Sequence, residues 1–389
     1  MNILFRIKNK IIFLRNQIYK KNECGKVKEG NIRYSHVTYC AVGNAGDTML
    51  SQCVRREFLQ YENVENWNII QVTDPVVEQT IEKINNTEAL VIGGGGLFIE
   101  DTNPNSISGW QWPISEELLE KINCPVLIFS VGYNYFRGQK VSEFFRNNLD
   151  VLVRKASFVG LRNMGSVRAV QELLPQELKD KVVYQPCITT LISKLYKEMH
   201  EPYGRKIAYN IAFDRIEKRF GDNVELVLEQ IAKSAKELSK QGYEITYVAH
   251  MREDFQFLKY LEKEKVDFKK VNLTNELPPK IISFYKKIDV VLGMRGHAQM
   301  IPFGMNCGII TLGSHDKMRW FLEDINQKEL YIELQEDEKN ICKRILKCFD
   351  KYYSEVAFLD TINNLKEAQN KLERITRDNF DDIHRVLKG

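Results

Sequence analysis

Short apolar runs alternate along this chain with stretches in which apolar positions return at helical spacing. Strand-like runs occupy residues 36–42, 67–72, 89–92, 126–131, 157–161 and 181–184, and amphipathic stretches such as 114–122 and 141–153 lie between them. This alternation predicts a parallel sheet with helices on both faces. A polar connector containing Pro202 and Gly204 follows, and the pattern then restarts at 207–211, 244–249, 267–271, 289–292 and 307–312, which predicts a second α/β domain. Beyond Asp337 the sequence reads as helix to its end, with a candidate break at 349–358. A chain of 389 residues exceeds what one core usually organises. The expected layout is a basic helix over 1–25, a Rossmann-like domain over 26–200, a second over 201–350, and a C-terminal helix over 351–389 that packs back on the first domain.

Charge is organised in one place. Arg6, Lys8, Lys10, Arg15, Lys20 and Lys21 precede any acidic residue, while Leu4, Ile7, Ile11, Leu14 and Ile18 repeat at three- and four-residue steps. Two roles fit this basic amphipathic helix: lying on an anionic membrane surface, or packing on the first domain or a partner. The apolar run 11–14 is too short for a signal peptide, and no stretch reaches the roughly 18 apolar residues of a spanning helix.

Composition narrows the rest. Apolar content of 43% supports ordinary globular cores, and a net charge of +4 with no basic block interleaved with aromatics argues against nucleic acid. The eight cysteines are dispersed without a CxxC pair, as reduced core cysteines are, which points to the cytoplasm. They do not cluster with the six histidines at zinc-ligand spacing, so no metal is expected.

The most informative segment is 293–325. An apolar strand-like run ends at 290–292, Arg295 and His297 follow at the turn, and small and apolar residues at 298–303 suit a packed helix. Ligands of open α/β sheets bind beyond the carboxyl ends of the strands, where helix N-termini present unpaired N–H groups. An anionic substrate is therefore expected.

Other motifs leave two readings each. In Gly43-Asn44-Ala45-Gly46-Asp47 the glycines allow close backbone approach. Asp47 suits either capping a helix that begins at Thr48 or accepting a proton from a sugar hydroxyl within roughly 2.6 to 3.2 Å. The glycine run 93–96 is either a turn with close helix packing or a backbone nest or sugar floor. It has neither the GxGxxG spacing of dinucleotide binding nor a P-loop lysine, which disfavours NAD and ATP. Trp110 and Trp112, in a loop with Asn103, Pro104, Asn105 and Gly109, can form platforms for sugar rings or fill an interdomain core. Arg162, after the run 157–161, suits bidentate recognition of a carboxylate or phosphate, or a surface salt bridge.

Taken together, these motifs resemble the polysaccharide pyruvyl transferase family. Arg295-Gly296-His297, Gly304, the run 309–312 and Lys317 are similar to its C-terminal signature. Gly43 to Asp47, the glycines 93–96, Ser130-Val131-Gly132 and Gly160-Leu161-Arg162-Asn163 fall in its order and approximate spacing. The resemblance spans roughly residues 35–325. It implies a GT-B-like fold, with the active site in a cleft between an acceptor-side N-terminal domain and a donor-side C-terminal domain. It also implies transfer of the pyruvyl group of phosphoenolpyruvate, as co-substrate with no cofactor, to two hydroxyls of one sugar, giving a cyclic ketal and phosphate.

On that reading Arg162, Arg295, His297 and Lys317 bind the donor, His297 and Asp47 are catalytic, and Asn44, Asp47, Gly94, Gly95, Trp110 and Trp112 face the acceptor. His315, beside Lys317, is either a site residue or a loop residue. The acceptor would be a unit of a bacterial surface glycan such as a capsule or exopolysaccharide, in free or lipid-linked form. One departure stands out: Tyr184-Gln185-Pro186 occupies the place where the family often has Asp-Pro. The rival is a nucleotide-sugar GT-B glycosyltransferase, with Arg295 on a diphosphate. A non-catalytic glycan-binding scaffold is a third class, which an intact anion constellation disfavours.

Overall fold

The computed structural model describes residues 32–40, 43–135, 139–198, 205–313 and 316–388. The expected N-terminal helix over 1–25, the connector residues Pro202 and Gly204, and His315 lie outside the described residues. The chain divides into two compact units. The first takes Met1–Val42, Leu50–Ile188 and Glu373–Gly389, and the second takes Gly43–Met49 and Thr189–Leu372.

The first unit carries six parallel strands, β1 (Tyr34–Thr38), β2 (Trp67–Gln71), β3 (Ala89–Phe98), β4 (Val126–Tyr133), β5 (Phe158–Leu161) and β6 (Val182–Tyr184), in the order β2-β1-β3-β4-β5-β6. The second carries β7 (Lys206–Asn210), β8 (Glu244–Ala249), β9 (Phe268–Asn272), β10 (Val290–Gly293), β11 (Gly308–Gly313) and β12 (Tyr331–Glu333), in the order β12-β11-β10-β7-β8-β9. Both are doubly wound sheets. Their central strands are buried on both faces, which is why they read as continuous apolar runs. The short β12 lacks such a run and was not legible from the sequence.

Helix α1 (Ala45–Glu62) follows β1, α2 (Met164–Leu173) follows β5, α3 (His297–Gly304) follows β10 and α4 (Asp316–Asp324) follows β11. After a helix over Ile341–Tyr353 the chain breaks and resumes as α5 (Phe358–Lys388), with the interruption inside the window marked by the sequence. The end of α5 belongs to the first unit. There Phe380 packs on Phe58, Phe129 and Tyr61 at ring-centroid distances of 5.0, 5.3 and 4.5 Å, and burying such a ring is worth about 2 kcal/mol.

Gln185, at the departure from the family pattern, has a structural use in the same place. Its side chain is fully buried. The amide nitrogen donates to Thr376 Oγ1 at 3.2 Å, and the amide oxygen accepts from Asn379 Nδ2 at 2.9 Å. A glutamine can donate and accept at once; an aspartate here could only accept.

Two expectations are corrected. The glycines 93–96 do not follow β3 but lie within it, Gly93 and Gly95 pairing in one register with Phe129 and Val131 before the register shifts between Gly95 and Phe98. Gly94 and Gly95 are buried with φ of +77° and +111°. A side chain on Gly94 would press on Leu50 of α1. The run thus lets the first helix approach the sheet, and neither glycine offers an open sugar floor. Trp110 and Trp112 are 2% and 0% exposed and pack edge-to-face at 5.9 Å, with Phe98 against Trp110 at 5.7 Å. They belong to the core of the first unit and present no ring face to solvent.

One acid is buried on the first helix with a carboxylate oxygen that no hydrogen bond meets. Glu57 on α1 is 2% exposed, and burial, aided by the Glu373 carboxylate, pushes its carboxyl up to about 8. Its folded-state value lies above the unfolded one, so the stability tied to its neutral form is complete below about pH 4.5 and is lost as pH rises through 8. Glu57→Gln should match the parent's Tm near pH 5 and exceed it increasingly toward pH 8. Parallel Tm curves across that range would show that this carboxyl does not titrate as described.

Candidate active site

In the second unit the carboxyl ends of β7, β8 and β10 meet at one carboxylate. Asp254 lies in a short turn after β8 and is fully buried. Its Oδ2 accepts from the His250 and Met251 N–H groups at 3.1 and 3.0 Å and from Asn210 Nδ2, at the end of β7, at 3.2 Å. Arg295, two residues beyond β10, donates to the same carboxylate through Nε (2.9 Å to Oδ2) and Nη2 (2.5 Å to Oδ1). Its Nη1 lies 2.7 Å from Asp214 Oδ1, and Asp214 in turn accepts from Arg219 at 2.8 Å.

Two arginines and two aspartates thus form a neutral, largely buried cluster. Burial acts to raise the Asp214 carboxyl, but the Arg219 and Arg295 charges outweigh it and hold it well below the usual carboxylate range. Burial likewise opposes charge on Arg295, and the hydrogen bonds it donates to Asp254 overcome it. The expected donor clamp is therefore first of all part of the frame: Arg295 is 8% exposed, and its ion pairs take three of its five N–H groups.

His297 opens α3, two residues after Arg295, and is half-buried. Gly293 is required beneath it, since a side chain there would collide with the carbonyl of Ala298. The Gly43–Met49 segment belongs to this same unit. The Gly43 N–H donates to the Thr274 carbonyl at 3.2 Å, and the Ala45 N–H donates to the His250 carbonyl at 3.1 Å. A Cβ on Gly46 would strike the His297 imidazole, so the second glycine of that motif exists to let the ring lie against the backbone. Asp47 is half-buried in the first turn of α1.

The helix itself begins at Ala45, three residues earlier than expected, because Asn44 and not Asp47 caps it. The Gly46 N–H donates to Asn44 Oδ1 at 2.9 Å, and the Asn44 carbonyl accepts from the Thr48 N–H at 3.2 Å. The Asn44 side chain, expected to face the acceptor, is spent on that cap. Lys317 is half-buried in the first turn of α4, where the helix dipole disfavours a cation unless an anion accompanies it. The Gly304 of the signature is structural: its Cα lies against the Thr189 carbonyl, and its own carbonyl accepts from Gln369 Nε2 at 3.0 Å.

In the first unit the carboxyl ends of β4 and β5 hold Arg162. It is 6% exposed, its guanidinium lies on Gly132, where any side chain would collide with it, and Nη2 donates to Asn134 Oδ1 at 3.1 Å. Asn163 caps α2 by accepting from the Ser166 N–H at 2.7 Å. Ser130 adopts φ +58°, an uncommon conformation for a non-glycine residue, and its hydroxyl donates to the Pro186 carbonyl at 3.1 Å. Nearby His36 is fully buried with Nε2 3.1 Å from the Gly93 carbonyl, and burial pushes it down to about 3, so its imidazole is neutral.

Residues that sequence reasoning missed are Asp214, Asp254, His250 and Tyr285. His250 is fully buried 2.5 Å from the Tyr285 hydroxyl, and burial lowers it to about 4. None sits in a recognisable motif; the one signal was the cluster of acids and a histidine around the end of β8. Among the described residues no group of three or more His, Cys, Asp or Glu is placed to hold a metal ion.

Two parallel six-stranded sheets, each wrapped by helices, define a GT-B-like α/β protein. A glycosyltransferase from Rickettsia africae superposes with a TM-score of 0.56 at 12% identity, over 92% of this chain and 99% of that one. A putative UDP-N-acetylglucosamine 2-epimerase from Listeria monocytogenes gives 0.55 at 12% identity, over 91% and 98%. At these identities the likeness concerns the fold alone. The family model for polysaccharide pyruvyl transferase matches residues 44–316, most of the chain, and the protein belongs to that transferase family. No curated protein matches it in sequence.

The capping assignment has a measurable consequence. Asn44→Ala should cost about 1 kcal/mol of stability, read as a lower denaturant midpoint, while Asn44→Asp should keep most of it. Equal stability of all three proteins would remove Asn44 from that role.

Proposed function

We propose that this protein transfers the pyruvyl group of phosphoenolpyruvate to two hydroxyls of one sugar in a bacterial surface polysaccharide or its lipid-linked precursor. The observation that carries this reading is the Arg295-Gly296-His297 turn. Two aspartates anchor its arginine, and the Gly46 backbone lies against its histidine.

The donor carries a carboxylate and a phosphate. On this reading the N–H groups of Arg295 not directed to aspartate meet one of them, Lys317 and the α4 N-terminus meet phosphate oxygens, and Arg162 is the anion-binding residue of the first unit. His297 delivers a proton to the methylene carbon, which becomes a methyl group while the first sugar oxygen bonds to C2, and Asp47 accepts the proton of that hydroxyl. The C2–O bond to phosphorus then breaks with its electron pair leaving on phosphate. The second hydroxyl closes the ketal at C2, and its proton passes to the departing phosphate. No redox change occurs. Work on a lipid-linked acceptor at the inner face of the cytoplasmic membrane suits the basic, amphipathic sequence of the first 25 residues.

Incubation with phosphoenolpyruvate and candidate glycans should yield a product heavier by pyruvate less water, with phosphate released in equal amount. Release of a nucleoside diphosphate from a sugar nucleotide instead would establish the glycosyltransferase reading. His297→Ala should lower turnover by about 100-fold or more while phosphoenolpyruvate still binds calorimetrically, the usual worth of general acid assistance. Unaltered turnover in that variant would remove His297 from catalysis.

A further inference from the structure

We infer that Asp254 is a positioning residue through which a single carboxylate fixes both the His297 turn and the Gly43–Asp47 loop. The inference rests on the proposed function only for what the two segments do; the linkage itself is geometric. One side of the carboxylate holds Arg295, and the turn carrying Arg295 leads directly into His297. The other accepts from the His250 and Met251 N–H groups, which sets the direction of the His250 carbonyl. That carbonyl receives the Ala45 N–H and so seats the loop whose Gly46 meets the imidazole.

The chain of contacts therefore closes on itself: Asp254, Arg295, His297, Gly46, Ala45, His250 and back to Asp254. Asp254 touches neither the His297 ring nor Asp47 by any contact described above, so its influence is on placement. Asp214, which binds the same arginine from the other side, has no share in the His250 arm. That asymmetry separates the two aspartates experimentally. Displacement of a reacting group by about 1 Å is enough to cost on the order of 100-fold in rate.

The full chain carrying Asp254→Asn should keep phosphoenolpyruvate affinity within a few-fold and lose kcat by about 100-fold. Hydrogen exchange at the Ala45 amide should accelerate, while the amides of β7 and β8 stay protected. Ala45→Pro tests the loop arm separately. The backbone of a first helical position accepts proline, which removes the N–H given to His250 and sets its ring against that carbonyl in a fully buried place, so the loop must part from it. It should reproduce the loss of kcat, and the double variant should be no worse than the poorer single one, because both act through one linkage.

Wild-type kcat in either variant, or losses that multiply in the double variant, would overturn the inference. So would an unchanged Ala45 exchange rate in Asp254→Asn. Should Asp254→Asn fail to fold, Ala45→Pro still decides the matter by its kcat. If the parent protein forms no ketal with any acceptor, the proposed function fails on its own account, and the exchange rate at Ala45 alone judges the linkage.

Discussion

The second unit is organised around a buried ion pair. Asp254 has no exposed surface and Arg295 very little, so neither charge can be satisfied by water. Taking such charges out of water costs several kcal/mol each, and their attraction recovers this only when geometry and additional hydrogen bonds are good. Here both conditions hold: the guanidinium meets one carboxylate with two of its groups and a second with another, and the remaining lone pairs of Asp254 accept backbone and amide N–H groups. An apolar replacement could pack as well, but it could not fix the direction of a carbonyl and of a helix start at once. The pair is better understood as a device for geometry than as a source of stability.

The first unit solves a related problem with empty space. Gly132 has no side chain because the Arg162 guanidinium fills that volume, and Gly94 has none because Leu50 of the first helix does. Ser130 adopts the left-handed region between them and is held by a hydrogen bond to the chain that follows β6. A charged side chain thus lies nearly enclosed at the end of the sheet, ordered by backbone and by Asn134. In this chain Gly94 and Gly132 answer packing demands made by residues far away in sequence.

This explains what could and could not be read from the chain. Eleven of the strands are legible, the central ones because buried parallel strands are apolar throughout and the partly exposed β2 and β9 from their place in the alternation with helices, which also yields the two-sheet architecture. The Arg295-Gly296-His297 turn was equally visible, since a polar pair directly after an apolar run has few structural uses. Local chemistry misled in three places. Asp47 and Asn44 are both good capping residues, and the Gly46 N–H settles on Asn44. Four glycines look like a loop, although a strand can contain them where a helix must come close. Tryptophans among turn residues look exposed, although the loop folds its own indoles inward. Asp254 and Asp214 were invisible because their meaning comes from an arginine some forty or more positions away, a distance no periodic pattern spans.

The contact between Gly46 and His297 reaches beyond this one molecule. The smallest residue in the loop is dictated by an aromatic ring contributed from the far end of the chain, so the two positions share a single evolutionary fate. A descendant that abandons the chemistry and replaces the imidazole with something smaller also frees the glycine to drift. Paired change at these positions, with both sheets intact, is therefore the mark by which retired members of such a lineage could be told from working ones.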